Sequence, residues 1–279
     1  MPAGSALLWA ALAIGVDAVE VQFVQVAPQV RPTAEWRRTP GERRAVVLIQ
    51  GLMIHPFSKD NVGRASLRDW QKPASALVKR LAGEGDVYAF GYGQNVPVDD
   101  IADHSALWGG LLRLREMGYR EVVVVGYSAG GVIARRLVED YPDAGVTKVV
   151  QVCAPNAGSG WAKVKAVRGT QKPFLDSLTK DERRREMRER LDVTIPDNIE
   201  FVCVVGTAGL GGDGIVSRRS QWTPDLQAQG IPAVTVGTDH LSMVRSTGGA
   251  DVIAELVRTP QPRWSPKKVV EARKAILGE

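Results

Sequence analysis

EVVVVGYSAGGVIARR, residues 121–136, decides the fold. Residues 122–125 are an unbroken run of valine, apolar and β-branched, which reads as a strand buried on both faces. It runs into Gly126-Tyr127-Ser128-Ala129-Gly130, a G-x-S-x-G pattern. Val132, Ile133, Ala134, Leu137 and Val138 then recur at helical spacing and stop near Tyr141-Pro142. Ser128 is thus expected on a tight strand-to-helix turn, its backbone strained and its hydroxyl pushed out at the carboxyl end of a sheet. The flanking glycines fit a place where strand and helix pass too closely for a Cβ. The helix that follows directs its unpaired N–H groups and positive dipole end at the serine.

Working outward, the same alternation repeats along the chain. Residues 45–49 (AVVLI), 87–90, 148–153 (KVVQVC), 199–205 (IEFVCVV) and 233–236 read as further buried strands. Residues 19–26 alternate weakly, as an edge strand does. Helical periodicity is expected over 67–81, 99–117 and 241–257, the second running through His104 and closed by Gly118. Strand and helix alternate throughout, which predicts an α/β fold with a mostly parallel central sheet and helices on both faces. Residues 161–195 are long for a connection and are read as part of a small cap, 156–198, inserted in a domain of residues 19–259. Residues 260–279 read as a polar, peripheral tail. Residues 5–16 (SALLWAALAIGV) are too few to span a bilayer as a helix. They resemble the apolar region of a secretory signal, but no Lys or Arg precedes them. Segment 1–18 therefore has two readings, signal-like or docked, and localisation stays between cytoplasmic and exported or membrane-associated.

Composition narrows the partners. With 279 residues, 44% apolar and 24% charged, the chain has the make-up of an ordinary globular protein. The net charge of +5 comes without aromatic platforms or a base-reading motif, so nucleic acid is not expected as a partner. Transient contact with an anionic membrane surface is compatible with that charge. Residues 182–190 (ERRREMRER) read as a solvated helix face laced with ion pairs. Cys153 and Cys203 each lie in a strand-like run and are expected as buried free thiols.

A serine hydroxyl needs a base within hydrogen-bond reach, and the base needs an orienting acid. Of the three histidines, His240 lies in a loop between a strand and a helix and is the expected base. His55 follows a strand end and is the alternative; His104 falls within a helix. Asp213, in a glycine-rich loop after a strand, is the expected acid. Asp239 is its rival, though adjacent side chains rarely face one another as required. Ser128, Asp213 and His240 all fall just past strand C-termini, where open α/β sheets bind ligands. For the oxyanion, the backbone N–H groups of Ala129 and of Leu52, after Gln50-Gly51, are expected donors, with Met53 as the second choice for the latter. Met53, Tyr127 and Trp161 are expected to contact substrate, and Leu52, Ile54, Phe57 and Phe174 to help line an apolar cleft. Neither a metal nor an organic cofactor is implied.

These residues resemble the lipase and esterase branch of the α/β-hydrolase superfamily, over roughly residues 45–257. The chain order nucleophile, acid, histidine is the order of that superfamily. Asp213-Gly214-Ile215-Val216 is similar to its acid loop, and His240 to Met243 to its histidine loop. Ala154-Pro155-Asn156-Ala157-Gly158-Ser159 is similar to a stretch of many lipases. The family's oxyanion turn reads His-Gly where this chain has Gln50-Gly51. The resemblance implies hydrolysis of a small-molecule or lipid ester through an acyl-enzyme. Acyl transfer or amide cleavage on the same residues, and a non-catalytic binding protein of this fold, are the alternatives. Oligomeric state is not legible in the sequence.

Overall fold

The computed structural model describes residues 19–29, 35–53, 62–163 and 169–279. Segment 1–18, and with it the signal-like stretch, lies outside the described residues, as do Ile54, His55 and Phe57. The strands are β1 (Val21–Ala27), β2 (Arg44–Ile49), β3 (Asp86–Tyr92), β4 (Glu121–Tyr127), β5 (Lys148–Val152), β6 (Glu200–Gly206) and β7 (Ala233–Val236). They form one sheet in the order β1-β3-β2-β4-β5-β6-β7. β1 runs antiparallel to β3 at one edge and every other pairing is parallel. The all-valine run sits mid-sheet between β2 and β5, and Val122, Val124 and Val125 are fully buried, as a strand covered on both faces requires.

The helices are α1 (Ala76–Leu81), α2 (Val98–Ala102), α3 (Ser105–Glu116), α4 (Ala129–Asp140), α5 (Lys172–Asp176), α6 (Lys180–Glu189), α7 (Arg218–Gln221), α8 (Pro224–Ala228), α9 (Thr247–Arg258) and α10 (Pro266–Leu277). Alternate strand residues split the core in two. Ala45, Val47 and Ile49 pack with α2, α3 and α4, whereas Val46 and Leu48 pack with α1 and α9. The expected α/β architecture with helices on both faces is the observed one. Among the described residues no helix is long and apolar enough to cross a membrane.

Several boundaries differ from expectation for identifiable reasons. The helix expected over 67–81 is a 3-10 turn at Asp69–Gln71 followed by α1, because Pro73 interrupts the pattern and Ser75 caps the new start by accepting from the Val78 N–H at 3.1 Å. The helix expected over 99–117 is two helices. His104 is not inside either; its Nδ1 accepts from the Ala106 N–H at 3.1 Å and caps α3. The closing helix begins at Thr247, capped by Ser246. Residues 266–277 are not a loose tail: α10 buries Val269 and Ile276, and Trp264 stacks edge-on against the buried Trp222. Within ERRREMRER, Arg183 and Glu186 are buried rather than solvated; they pair with each other on one face of α6. Arg190 continues this network to Glu139 and Asp140 of α4 at 3.1 and 2.6 Å. Phe174 lies in the core against Tyr92, not along a cleft.

Candidate active site

Ser128 is the residue where β4 turns into α4. Its φ of 54° and ψ of −123° are those of a left-handed position that a side chain rarely occupies, a strain of roughly 1–3 kcal/mol that a surrounding structure must hold in place. Two contacts explain the glycines around it. A Cβ on Gly130 would meet the carbonyl oxygens of Ile49 and Gln50, and one on Gly126 the carbonyl of Gly130. The Ser128 N–H is fixed by the Val152 carbonyl of the neighbouring strand at 2.8 Å.

The acid loop follows β6. Asp213 is fully enclosed, and its Oδ1 accepts the N–H groups of Ile215 and Val216 at 2.9 and 2.7 Å. Its Oδ2 lies 2.7 Å from His240 Nδ1, and its carbonyl takes the His240 N–H at 2.9 Å. Burial raises the Asp213 pKa, but the His240 hydrogen bond and charge, together with the two amides, outweigh it and hold the carboxyl below its ordinary value. His240 Nε2 lies 3.0 Å from Ser128 Oγ. The tautomer with hydrogen on Nδ1 satisfies the carboxylate and leaves Nε2 as the acceptor facing the serine. Asp239 is exposed and turned elsewhere, its Oδ1 capping the N–H groups of Leu241 and Ser242. Tyr127 packs its ring on His240, with centroids 5.1 Å apart, and donates its hydroxyl to the His240 carbonyl at 2.8 Å.

Leu52 lines the cleft with Ser128, and Ala129 opens α4 directly after the serine. The N–H of Met53, the second choice for the loop donor, is already engaged by Gln94 Oε1 at 3.0 Å. Gln94 Nε2 in turn donates to the Gly51 carbonyl at 3.0 Å, so one buried amide grips the loop on both sides of Leu52. Gln171 donates to the Met53 carbonyl and to Gln94, at 2.5 and 2.9 Å. Among the described residues, the N–H groups of Leu52 and Ala129 have no protein acceptor. Gly51 permits the approach, since a Cβ there would come within 2.7 Å of Ser128 Cβ.

Gln94, Gln171 and Gln221 had no signal in the sequence beyond being polar residues near strand and helix ends. Gln221 bonds the Gly206 N–H at 2.8 Å and the Val216 carbonyl at 2.9 Å, and so holds the acid loop onto β6. Cys153 and Cys203 are free and buried. The Cys153 sulfur, Asp213 and His240 present ligand-type atoms within 4.8 Å of one another. Burial and the Asp213 carboxylate push the Cys153 thiol well above its ordinary pKa, so it stays protonated, while Asp213 and His240 are engaged with each other.

The serine opens onto a cleft of about 570 Å³. Leu52, Met53, Tyr127, Trp161, Ile215 and Val244 are among its walls, and Arg68, Asp69, Lys72 and Arg245 supply its charge. Met53, Trp161 and Leu241 stand at 43, 55 and 52% exposure. A second cavity, of about 340 Å³, lies among the paired charges of Arg135, Arg183 and Arg190 and includes none of the residues that converge on Ser128.

No family model matches the chain, and no curated protein matches it in sequence. Solved structures do. The Bacillus licheniformis lipase BlEst2 in mature form superposes with a TM-score of 0.59 at 16% identity, over 79% of this chain and 94% of that one. Phospholipase PlaB from Legionella pneumophila gives 0.60 at 16% identity over 84% of this chain, which spans 64% of PlaB. The metagenomic carboxyl esterase MGS0156 gives 0.52 at 18% identity, over 92% and 84%. At these identities the likeness establishes architecture: the chain has the α/β-hydrolase fold.

Proposed function

We propose that this chain is a serine carboxylic-ester hydrolase working through an acyl-enzyme. The observation that carries the reading is the continuous path from Asp213 through His240 to Ser128, at 2.7 and 3.0 Å. Ser128 Oγ attacks the ester carbonyl as His240 Nε2 takes its proton, and Asp213 stabilises the imidazolium that forms. The oxyanion accepts from the N–H groups of Leu52 and Ala129, each such donor being worth about 2.7–4 kcal/mol in the transition state. His240 then gives the proton to the departing alcohol. Water, activated by the same imidazole, releases the acid. Every step runs on this chain's own side chains and amides.

The apolar walls suit a small-molecule or lipid ester with a hydrocarbon portion. Met53, Trp161 and Leu241, exposed around the opening, suit substrate presented at a lipid surface, with the contact transient. The segment 156–198 acts in this reading as a cap, since it contributes Trp161 to the cleft and Gln171 to the Gly51–Met53 loop. A chain-length series of 4-nitrophenyl esters tests the proposal. Purified protein should hydrolyse at least one member with a burst of nitrophenol, and Ser128→Ala should lose at least about 10⁴-fold of that rate. Turnover that survives Ser128→Ala would remove the serine from the reaction.

A further inference from the structure

Building on the ester-hydrolase reading, we propose that Arg68 forms a subsite for an anionic group, carboxylate or phosphate, on an otherwise apolar substrate. Arg68 lines the same cleft as Ser128. Among the described residues its guanidinium has no charged partner: one terminal nitrogen donates to the Met53 sulfur and, at 3.4 Å, to Ser66 Oγ. Its Nε is buried without a partner among the described residues. Arg68 is half-buried; a partly desolvated cation with only neutral, weak acceptors is costly, and burial accordingly lowers its pKa from the ordinary arginine value. An incoming anion relieves that cost, and the planar fork of arginine matches carboxylate and phosphate oxygens in pairs.

The position is built rather than incidental. The Arg68 N–H donates to Gln71 Oε1 at 3.0 Å, and the Gln71 N–H returns a bond to the Arg68 carbonyl at 2.9 Å. The buried Gln71 amide donates to the carbonyls of Leu48 and Phe90 at 3.0 and 3.2 Å. The backbone under Arg68 is thereby fastened to the carboxyl ends of β2 and β3, on the edge where Ser128 emerges. The rest of the cleft's charge leans the same way. Its carboxylate, Asp69, is taken by Lys72 at 2.7 Å, and Arg245 is a further cation on the wall. Leu52, Met53 and Val244 leave room for hydrocarbon beside this positive end, so the complementary ligand is amphiphilic and anionic.

Binding to the Ser128→Ala protein tests this without consuming the probe. Octyl phosphate, nonanoate and octyl glucoside share one octyl chain and differ in head group; each is titrated calorimetrically below its micelle concentration. At least one anion should bind about tenfold or more tightly than the glucoside, the size expected for hydrogen bonds to a charged group. The tighter of the two tells phosphate from carboxylate. Arg68→Gln should abolish the preference and Arg68→Lys keep part of it. In the Ser128→Ala parent the preference should shrink as ionic strength rises, a readout independent of whether the Arg68 variants fold. No anion preference in the parent, a preference indifferent to salt, or an undiminished one in folded Arg68→Gln overturns the subsite. An unreactive Ser128 would instead sink the hydrolase reading and leave the binding result standing.

Discussion

At the scale of single residues, Asp213 and Asp239 separate cleanly although both neighbour the histidine in space or in sequence. Asp213 faces His240 Nδ1 from inside the protein, while Asp239 caps the following turn in solvent. Asp213→Asn should therefore lower kcat by about 10⁴-fold, because the amide favours the wrong tautomer. Asp239→Asn should stay within about tenfold of the parent, as surface substitutions usually do. Steady-state kinetics on one ester decide between them, and a reversed pattern would reassign the acid. That Ser128, Asp213 and His240 meet was legible because each follows the end of a strand, and strands are readable from apolar runs. Gln94, Gln171 and Gln221 were not, since a glutamine that bonds buried backbone has the same local sequence as one in water.

At the scale of elements, the fold was legible where periodicity was strong and illegible where a cap overrode it. The valine run of β4 and the helix after it fell where expected. Pro73 and His104 instead cut two long apolar patterns, since a start cap stabilises a helix end that hydrophobic spacing does not mark. The Gly51–Met53 loop is held by Gln94 on both sides of Leu52. Gln94→Ala should lower kcat by about ten- to a hundredfold with KM little changed, less than outright loss of an oxyanion donor. A raised KM at unchanged kcat would make Gln94 a substrate contact instead. In α6, burial pushes the Glu186 carboxyl from 4.5 up to about 8, against the pull of Arg183. Between those values the folded protein binds a proton that the unfolded chain does not, so this contribution to stability is full at low pH and is lost as pH rises through the folded value. Denaturant titrations should show the parent losing stability relative to Glu186→Gln between about pH 5 and pH 9; parallel curves would contradict the assignment.

At the scale of the whole molecule, residues expected to be peripheral complete the core. Polar and lysine-rich spacing hid α10, which buries only Val269 and Ile276 and leaves Val270 half exposed. Ending the chain after Thr259 should cost at least about 3 kcal/mol, from two buried aliphatic side chains, and Trp222 would lose its ring partner as well. Chemical denaturation of the truncated protein measures this, and an unchanged midpoint would mean that α10 is not docked in solution. Three loops, far apart in the chain, meet above one edge of the sheet and bring Asp213, His240 and Ser128 into line, and the proposed reaction requires residue 128 to be a reactive nucleophile. Labelling with a fluorophosphonate probe, followed by peptide mass spectrometry, tests that most directly. The adduct should lie on Ser128, vanish in Ser128→Ala and form far more slowly in His240→Ala. An adduct on another residue, or none in folded protein, would contradict it.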